Sequence, residues 1–377
     1  MSRPRFELDT RILTIFILVA MPFVAVGAYV VVGMAESALR ETVSDGLEQR
    51  AVETRLQLER YVARQQVLLR LVSSDPAVVE ALWSRTPPLS EAARERLLSA
   101  WNAGDPELLG RVVGSRLADR LRRVTDIQPA IRLLQVVDGR GIVVGSTSRA
   151  GSFYYADHDW FRAFTTESLA QRVQVGDVER RHDSSLALFH LAWPVHDGEG
   201  SFLGAVRAVL DAEDLDAVLA PVRVGETGYA LLLRGRDGMI LGGAANLGVL
   251  EARYPGYSQL QAAMAEGRAS WLVTEQTQAT EDGAERLLSP ARFVAFDHVS
   301  QIPDVDWLVL VQQDFREAMA PVHDVRLYLW LHFLGAFSTA ILLGLYFSFR
   351  LELPVIEEDL HLHEEHVPPS RRQPQQG

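Results

Sequence analysis

The sequence of 377 residues contains no cysteine and no lysine. Without cysteine, no disulfide can support an exported domain, and thiol chemistry is excluded. Every fixed positive charge is an arginine, which we attribute to codon usage in a GC-rich genome. Acidic residues outnumber basic ones by 49 to 37, which gives a net charge of −12. This balance argues against nucleic-acid binding, because that function requires a basic surface.

Motifs that carry enzyme chemistry are missing as well. The sequence has no nucleophile elbow, phosphate loop or His-Glu metal motif, and Gly242-Gly243 lacks a dinucleotide-binding context. We therefore predict that the protein is not an enzyme and needs no cofactor. His361, His363 and His366 lie among acidic residues at a spacing that can bind Zn²⁺ or Ni²⁺. A solvated acidic tail explains them more simply, and we predict no metal site.

Two uncharged apolar runs, residues 12–34 and 327–349, are the clearest features that are present. As a helix, each run would extend about 35 Å, enough to cross a hydrocarbon core about 30 Å thick. The first run is too long for the apolar region of a signal peptide, so we interpret it as an uncleaved anchor. Arginines flank the outer end of each run, which favours cytoplasmic termini. We predict a membrane protein with two spans and an exported domain over 35–326.

The exported domain is predicted to begin with helices. Apolar residues recur at three- and four-residue intervals over 35–72, and no proline interrupts the pattern before Pro76. A helix of this length would be a spine for the domain, a dimer seam, or both, and we predict a homodimer through it. Residues 77–125 are also predicted to be helical, with breaks at Pro87-Pro88 and Gly104-Asp105-Pro106.

Beyond residue 130 the pattern changes to short β-rich runs between glycine turns. A strand–turn–strand unit around Gly141 recurs around Gly238, 97 residues later. Further strands follow each copy, so we predict two tandem mixed α/β modules. The predicted strands cover residues 131–138, 142–147, 186–195, 202–211, 229–234, 239–241, 269–275, 287–298 and 307–312. A single helix over 315–326 would continue into the second span.

Several segments resemble the double Cache sensor domains of bacterial chemoreceptors and sensor kinases. VVDGRGIVVGST and GETGYALLLRGRDGMIL resemble the strand–turn–strand signatures of that family, and YYADHDWFRAF resembles its ligand-site segment. AWPVHDGEGSFLGAVRAVLDAEDL resembles the closing hairpin of the first module, and VDWLVLVQQD the last strand of the second. The resemblance covers about residues 12–350. It implies an α+β fold, with a long N-terminal helix and two tandem PAS-like modules flanked by two transmembrane helices.

The resemblance implies a sensor of a small molecule that is held in the bacterial inner membrane with its central domain in the periplasm, and we predict no role in nucleic-acid binding. A tail of 28 residues holds no kinase, cyclase or methyl-accepting coiled coil. We therefore expect a separate signalling protein, such as a histidine kinase or cyclase, to receive the output. The predicted segments are 1–11, cytoplasmic; 12–34, membrane helix; 35–129, helical; 130–222, membrane-distal module; 223–315, membrane-proximal module; 316–326, connecting helix; 327–349, membrane helix; and 350–377, a disordered cytoplasmic tail.

Relatives that bind α-amino acids carry the pattern Tyr-x4-Arg-x-Trp-Tyr and a later Asp. The arginine and the aromatic donors hold the ligand carboxylate, and the Asp holds its ammonium group. The resemblance assigns these positions to Phe153, His158, Trp160, Phe161 and Asp211. Trp160 and Asp211 match, whereas the other three positions lose donors, so the carboxylate clamp is weakened. The expected ligand is a small polar molecule: an amine, an amino acid or a small carboxylate.

Strand alternation places Arg207 on the same face as Asp211. Arg207 would then either supply the missing cation to the pocket or pair with Asp211. His190, on a neighbouring strand, could line the same pocket, and Tyr155 would belong to its wall or to the core. His158 is the residue here whose charge can change near neutral pH, so a pH-dependent response is a further hypothesis.

Two alternatives to the sensor remain open. The first is an envelope adaptor that senses nothing and has a degenerate pocket, which the losses at Phe153, His158 and Phe161 favour. Retention of Trp160 and Asp211 favours the sensor. The second alternative is a truncated receptor that has lost its output.

Overall fold

The computed structural model describes residues 10–83, 90–165, 172–180, 186–243, 249–266, 271–279, 285–302 and 305–350. The chain forms two compact units. One spans Ala35–Val322, and the other comprises the described parts of Met1–Met34 and His323–Gly377. The histidines of the tail lie outside the described residues.

Five helices precede the first sheet: α1 (Thr10–Ser73), α2 (Pro76–Leu82), α3 (Glu91–Ala103), α4 (Pro106–Val112) and α5 (Arg116–Ile127). Each of the last four begins after an Asp or Ser whose side chain accepts a backbone N–H of the first turn. Proline occupies the start of α2 and α4, where its missing N–H is not needed. The predicted helix over 35–72 is confirmed, and the described residues of 77–125 are mainly helical, with the predicted break at Gly104-Asp105 and one further break before α5. The predicted break at Pro87-Pro88 lies outside the described residues.

The distal module is built on an antiparallel sheet of six strands. In chain order it contains β1 (Ile131–Asp138), β2 (Val143–Ser146), α6 (Asp159–Ala163), β3 (Gln174–Val175), β4 (Glu179–Arg180), β5 (Ala187–His196) and β6 (Phe202–Asp211). The strands lie in the order β2-β1-β6-β5-β3, and β4 also pairs with β5. The two central strands, β1 and β6, have the bounds that the sequence predicted.

The proximal module repeats this arrangement. The helix α7 (Glu213–Leu219) follows β6, within the limits predicted for the distal module. The proximal module then contains β7 (Arg223–Val224), β8 (Gly228–Arg234), β9 (Ile240–Gly243), α8 (Tyr257–Ala265), β10 (Trp271–Ala279), β11 (Glu285–His298) and β12 (Trp307–Asp314). Its order is β10-β11-β12-β8-β7, with β9 paired to β8. In both modules the last strand therefore pairs with the strand that opens the glycine hairpin. The predicted repeat is confirmed, whereas the module limits at 129/130 and 222/223 stay predictions.

The two hairpin glycines explain the repeated sequence signal. Gly141 and Gly238 have positive φ angles of 82° and 69°, which other residues rarely adopt. A Cβ atom at Gly141 would overlap the backbone of Ala156, and one at Gly238 would overlap the ring of Tyr257. Each turn therefore requires glycine for its backbone conformation and for its packing.

Within the larger unit, α1 is the predicted spine. Its residues Leu47, Ala51, Leu58, Val62 and Leu69 are at most 1% exposed and belong to one core cluster with strands of both sheets. Polar contacts accompany this packing: Tyr61 donates to Asp214 (2.9 Å), and Glu59 accepts the backbone N–H groups of Ser300 and Gln301. The helix is thus attached to both modules.

The last helices differ from the sequence prediction. The single helix expected over 315–326 is divided into α9 (Phe315–Ala318) and α10 (Ala320–Arg350), with a turn at Met319. Pro321 explains the division, because it has no N–H to donate to Glu317 and is tolerated only in the first turn of a helix, which is its position in α10. Two helical segments, Met21–Ser73 and Ala320–Leu343, are long and apolar enough to cross a membrane by length and composition.

Candidate functional site

A cavity of about 630 Å³ lies in the distal module, against β1, β5 and β6. Cross-strand pairing brings its walls together, because Arg207 of β6 lies opposite Gln135 of β1, and Val209 of β6 lies opposite His190 of β5. Segments after β2 and after β3 complete the cavity. Its lining residues are Arg132, Leu133, Ala150, Gly151, Ser152, Tyr155, His158, Asp177, Glu179, Arg180, Leu188, Phe189, His190, Arg207 and Val209.

Three arginines line the cavity, of which Arg132 pairs with Asp211 and Arg180 with Glu251, and Arg207 is the most deeply buried of the three. Its guanidinium carbon lies 4.9 Å from the ring centre of Tyr155 and 5.7 Å from that of Trp160. Nη1 donates long hydrogen bonds to the Tyr155 hydroxyl (3.3 Å) and to Gln135 Oε1 (3.4 Å), whereas the shielded Nε has no partner. Among the residues that the structure describes, no carboxylate forms an ion pair with Arg207. Burial lowers the pKa of Arg207, but an arginine remains charged at neutral pH.

Near the Arg207 guanidinium lie other buried polar atoms that have no hydrogen-bond partner in the described residues. Tyr155 is buried and donates to Gln135 Oε1 (2.9 Å). The shielded Nε2 atoms of Gln135 and His190 have no partner within the described residues. Buried polar groups normally have a hydrogen-bond partner, so an acceptor in the cavity would satisfy groups that the protein leaves open.

The two histidines of the cavity are not cations at neutral pH. Burial, followed by the charge of Arg207, lowers the pKa of His190 to about 3. The same two causes, in the same order, lower the pKa of His158. Because a neutral imidazole carries no charge, the positive charge in the cavity that no described carboxylate pairs is that of Arg207 and not of His158.

The sequence suggested that Asp211 holds a ligand ammonium group or pairs with Arg207, but in the structure it has other hydrogen-bond partners. It is 3% exposed and is not among the residues that line the cavity. Its Oδ2 accepts from Arg132 Nε (3.0 Å) and Nη2 (2.7 Å), and its Oδ1 accepts the backbone N–H of Glu213 (3.0 Å). The possible Arg207–Asp211 pair is therefore not formed. A shift in the β1–β6 register between Ile131 and Leu133 leaves Arg132 as the extra residue of a bulge beside Asp211.

The aromatic residues of the candidate site lie mostly behind the cavity. Trp160 packs against Tyr155 (5.2 Å between ring centres), His190 (6.0 Å) and Phe161 (5.5 Å). Phe153 stacks on Trp101 at 4.9 Å. Trp160, Phe153 and Phe161 belong to a buried core cluster and do not line the cavity. The structure thus brings together Tyr155, His158, His190 and Arg207 around the cavity, with Trp160 as support.

Sequence reasoning missed Arg132, Gln135, Asp177 and Glu179. Two of them had a visible signal: Gln135 is a polar residue inside an apolar strand, and Arg132 is a charge in the same strand. Asp177 and Glu179 follow the very short strand β3 and carry no strand periodicity. Their position depends on the tertiary structure.

Comparison with known proteins identifies one family. The family model dCache_1, described as a Cache domain, matches residues 35–322. No curated protein sequence matches the chain. Solved structures with a similar chain path include three ligand-binding domains of chemoreceptors.

The first of these is that of the amino-acid chemoreceptor PctB of Pseudomonas aeruginosa with L-Gln, at 17% identity and a TM-score of 0.45, over 73% of this chain and 93% of that one. CtaA of Pseudomonas fluorescens with L-isoleucine has 14% identity and a TM-score of 0.46, over 76% and 98%. The sensory domain of Tlp3 of Campylobacter jejuni has 12% identity and a TM-score of 0.49, over 76% and 99%. L-Gln and L-isoleucine are ligands of PctB and CtaA, respectively.

Proposed function

The chain belongs to the Cache domain family, and from this premise we propose that residues 35–322 are a small-molecule sensor domain. The cavity of the distal module would be the ligand site, and the ligand would carry a carboxylate group. A volume of about 630 Å³ suits a small metabolite. The observation that carries the proposal is the cavity-lining cation of Arg207, which has no carboxylate partner in the described part of the chain.

A ligand carboxylate would give Arg207 the negatively charged partner that the described residues do not provide. A charged group removed from water without a counter-charge is costly, and a carboxylate can accept two hydrogen bonds from one guanidinium. The Tyr155 ring and the neutral His190 would enclose the carboxylate on its other sides. The ligand would therefore bind through its anionic group, although the sequence pattern suggested a weakened carboxylate clamp.

Glu179 would extend the ligand class to amino acids. Of the two carboxylates that line the cavity, Asp177 is already held by arginines, whereas Glu179 forms no ion pair with a described residue. The negative charge of Glu179 lies close enough to Arg207 and His158 to oppose, in part, the lowering of the pKa of both groups. An ammonium group near Glu179 and a carboxylate at Arg207 would suit a zwitterion. A simple amine is less well supported, since Asp211 is engaged by Arg132.

The test uses the full chain in lipid nanodiscs and a thermal-shift screen. The panel contains acetate, pyruvate, L-lactate, glycine, L-alanine and L-glutamine, with acetamide and methylamine as uncharged and cationic comparisons. A ligand at 100 times its Kd should add about 2.7 kcal/mol of stability. We expect at least one carboxylate to stabilise the chain and acetamide to have no effect.

The decisive variant is Arg207→Gln, which should abolish the carboxylate shift. Arg120→Gln is the matched control, because it makes the same change at an arginine whose side chain is 58% exposed and lies on α5, away from the cavity. Stabilisation by methylamine alone, or a carboxylate shift that survives Arg207→Gln, would overturn the proposal. No shift across the panel, with a folded sample, would favour the adaptor.

The orientation with both termini in the cytoplasm, the homodimer through residues 35–72 and the separate signalling protein stay predictions of the sequence. The homodimer would form through the exposed side of α1. It is tested by measuring the mass of the nanodisc complex with light scattering. One chain per disc at all concentrations would contradict the homodimer.

A further inference from the structure

Asp177 lines the distal cavity, yet three donors from the proximal module hold it. Its Oδ1 accepts from Trp307 Nε1 of β12 (3.1 Å). Its Oδ2 accepts from Arg234 Nη1 at the end of β8 (3.0 Å) and from Arg236 Nη2 in the following turn (3.0 Å). A single carboxylate of the cavity wall thus forms two ion pairs with the other module and accepts one hydrogen bond from its neutral indole N–H.

Two further residues of the cavity wall contact the proximal module. Arg180 donates to Glu251 Oε1 (2.7 Å) and to the carbonyl oxygen of Val249 (2.8 Å). Phe189 of β5 packs edge-on against Trp307, with 6.0 Å between ring centres. Asp177, Arg180 and Phe189 therefore belong to the cavity and to the contact between modules at the same time.

The backbone next to Asp177 is also packed against the cavity. Gly176 donates its N–H to the carbonyl oxygen of His190 (2.8 Å), and a Cβ atom at Gly176 would overlap the His190 ring. His190 lines the cavity, so a movement of its ring toward Gly176 would displace that backbone. The adjacent Asp177 would then shift relative to Arg234 and Trp307.

We propose that the segment Gln174–Arg180, here called the coupling segment, transmits occupancy of the distal cavity to the proximal sheet through Asp177. The inference rests on the proposed function only in taking the cavity as the ligand site. A ligand at Arg207 repositions His190 and the coupling segment, and this changes how Arg234, Arg236 and Trp307 hold Asp177. Because coupling between sites is reciprocal, loosening these contacts also changes ligand affinity.

The experiment fills the cavity without knowledge of the natural ligand. The chain has no cysteine, so Val209→Cys introduces a single thiol on the cavity wall, two residues along β6 from Arg207. Residues two apart on a strand lie about 7 Å from each other on the same face. Reaction of the full chain in nanodiscs with 2-carboxyethyl methanethiosulfonate tethers a carboxylate within reach of Arg207. Ethyl methanethiosulfonate gives the uncharged control.

The readout is amide hydrogen exchange in β8 and β12 of the proximal sheet. We expect the tethered carboxylate, but not the ethyl group, to change exchange rates there by about fivefold or more, which is the lower end of ordinary allosteric coupling. In Val209→Cys with Asp177→Asn, the reagent should still react while the change in the proximal sheet is lost.

Asp237→Asn is the matched control, because Asp237 pairs with the same Arg234 (2.9 Å) and does not line the cavity. Arg236→Gln, at a side chain that is 62% exposed, removes one donor to Asp177 with little risk to folding and should reduce the response. An unchanged proximal sheet in the native background, or a response that persists in Asp177→Asn, would overturn the coupling.

The proposed ligand site and the proposed coupling through Asp177 can be contradicted independently of each other. If free carboxylates bind but the tethered carboxylate leaves β8 and β12 unchanged, the ligand site stands and the coupling is wrong. If the tethered carboxylate acts but no free carboxylate binds, the coupling stands and the proposed ligand class is wrong.

Discussion

Arg207 and Asp211 lie four residues apart on β6, but only Arg207 lines the cavity. Strand alternation put Arg207 on the pocket side of β6, and Arg207 does line the cavity, whereas its binding of a ligand stays a prediction. The family pattern placed Asp211 in the same pocket, but the bulge at Arg132 supplies that carboxylate with a partner of its own. A bulge depends on the pairing of two distant segments, so the sequence of β6 alone carried no sign of it.

The hydrogen bonds of Asp211 predict a structural role. Its Oδ1 accepts the N–H of Glu213, the first residue of α7, and Asp314 at the end of β12 accepts the N–H of Arg316 in the first turn of α9 (2.7 Å). Asp211→Ala should lower the free energy of unfolding by about 1–3 kcal/mol, the usual cost of losing hydrogen bonds to a charged group. Chemical denaturation should give a similar loss for Asp314→Ala, the matched variant in the other module.

Carboxylate affinity separates this role from ligand binding. We expect Asp211→Ala, once folded, to keep its carboxylate affinity within a few-fold of the native chain. A complete loss of binding with little loss of stability would show instead that Asp211 holds the ligand, as the family pattern suggested.

At the scale of helices and strands, most of the fold was predictable. Apolar runs bounded by glycine turns gave β1 and β6 with their observed limits, because such strands are buried and their turns need special backbone angles. The break between α9 and α10 was missed although Pro321 marks it. The contacts of the coupling segment could not be predicted, since β3 and β4 have two residues each and no periodicity.

The helix α9 is anchored to the β7–β8 turn by one side chain. Glu317 accepts the N–H groups of Glu226 (2.7 Å) and Thr227 (3.0 Å) and a short hydrogen bond from the Thr227 hydroxyl. Gly225 makes this approach possible, because a Cβ atom there would overlap the carboxylate. The Thr227 hydroxyl, followed by the Glu226 N–H, lowers the pKa of Glu317.

This lowered pKa gives a pH-dependent contribution to stability with a definite sign. The folded state binds the Glu317 proton less tightly than the unfolded state, whose pKa is about 4.3. The contribution is therefore present above that value and is lost as the pH falls through the folded pKa. The unfolding free energy of Glu317→Gln, measured from pH 6 to pH 3, should decline less steeply than that of the native chain. Parallel curves would contradict the anchor.

At the scale of the whole chain, the absence of cysteine makes the predicted topology directly testable. Ser201→Cys places one thiol in the exposed turn between β5 and β6, and Ser2→Cys places one before the first apolar run. In intact cells, a maleimide that does not cross membranes should label the first variant and not the second. Labelling of Ser2→Cys without permeabilisation would contradict a cytoplasmic N-terminus.

Residues of the proximal module bind Asp177 in the wall of the distal cavity, and this has a consequence for protein engineering. Chimeric biosensors are often made by grafting a recognition module onto a foreign receptor. A graft of residues 130–222 alone would carry the cavity but leave behind Arg234, Arg236 and Trp307, the partners of Asp177. Its ligand affinity should therefore differ from that of the parent even if the lining residues are unchanged. The transferable piece of this protein is the whole unit Ala35–Val322.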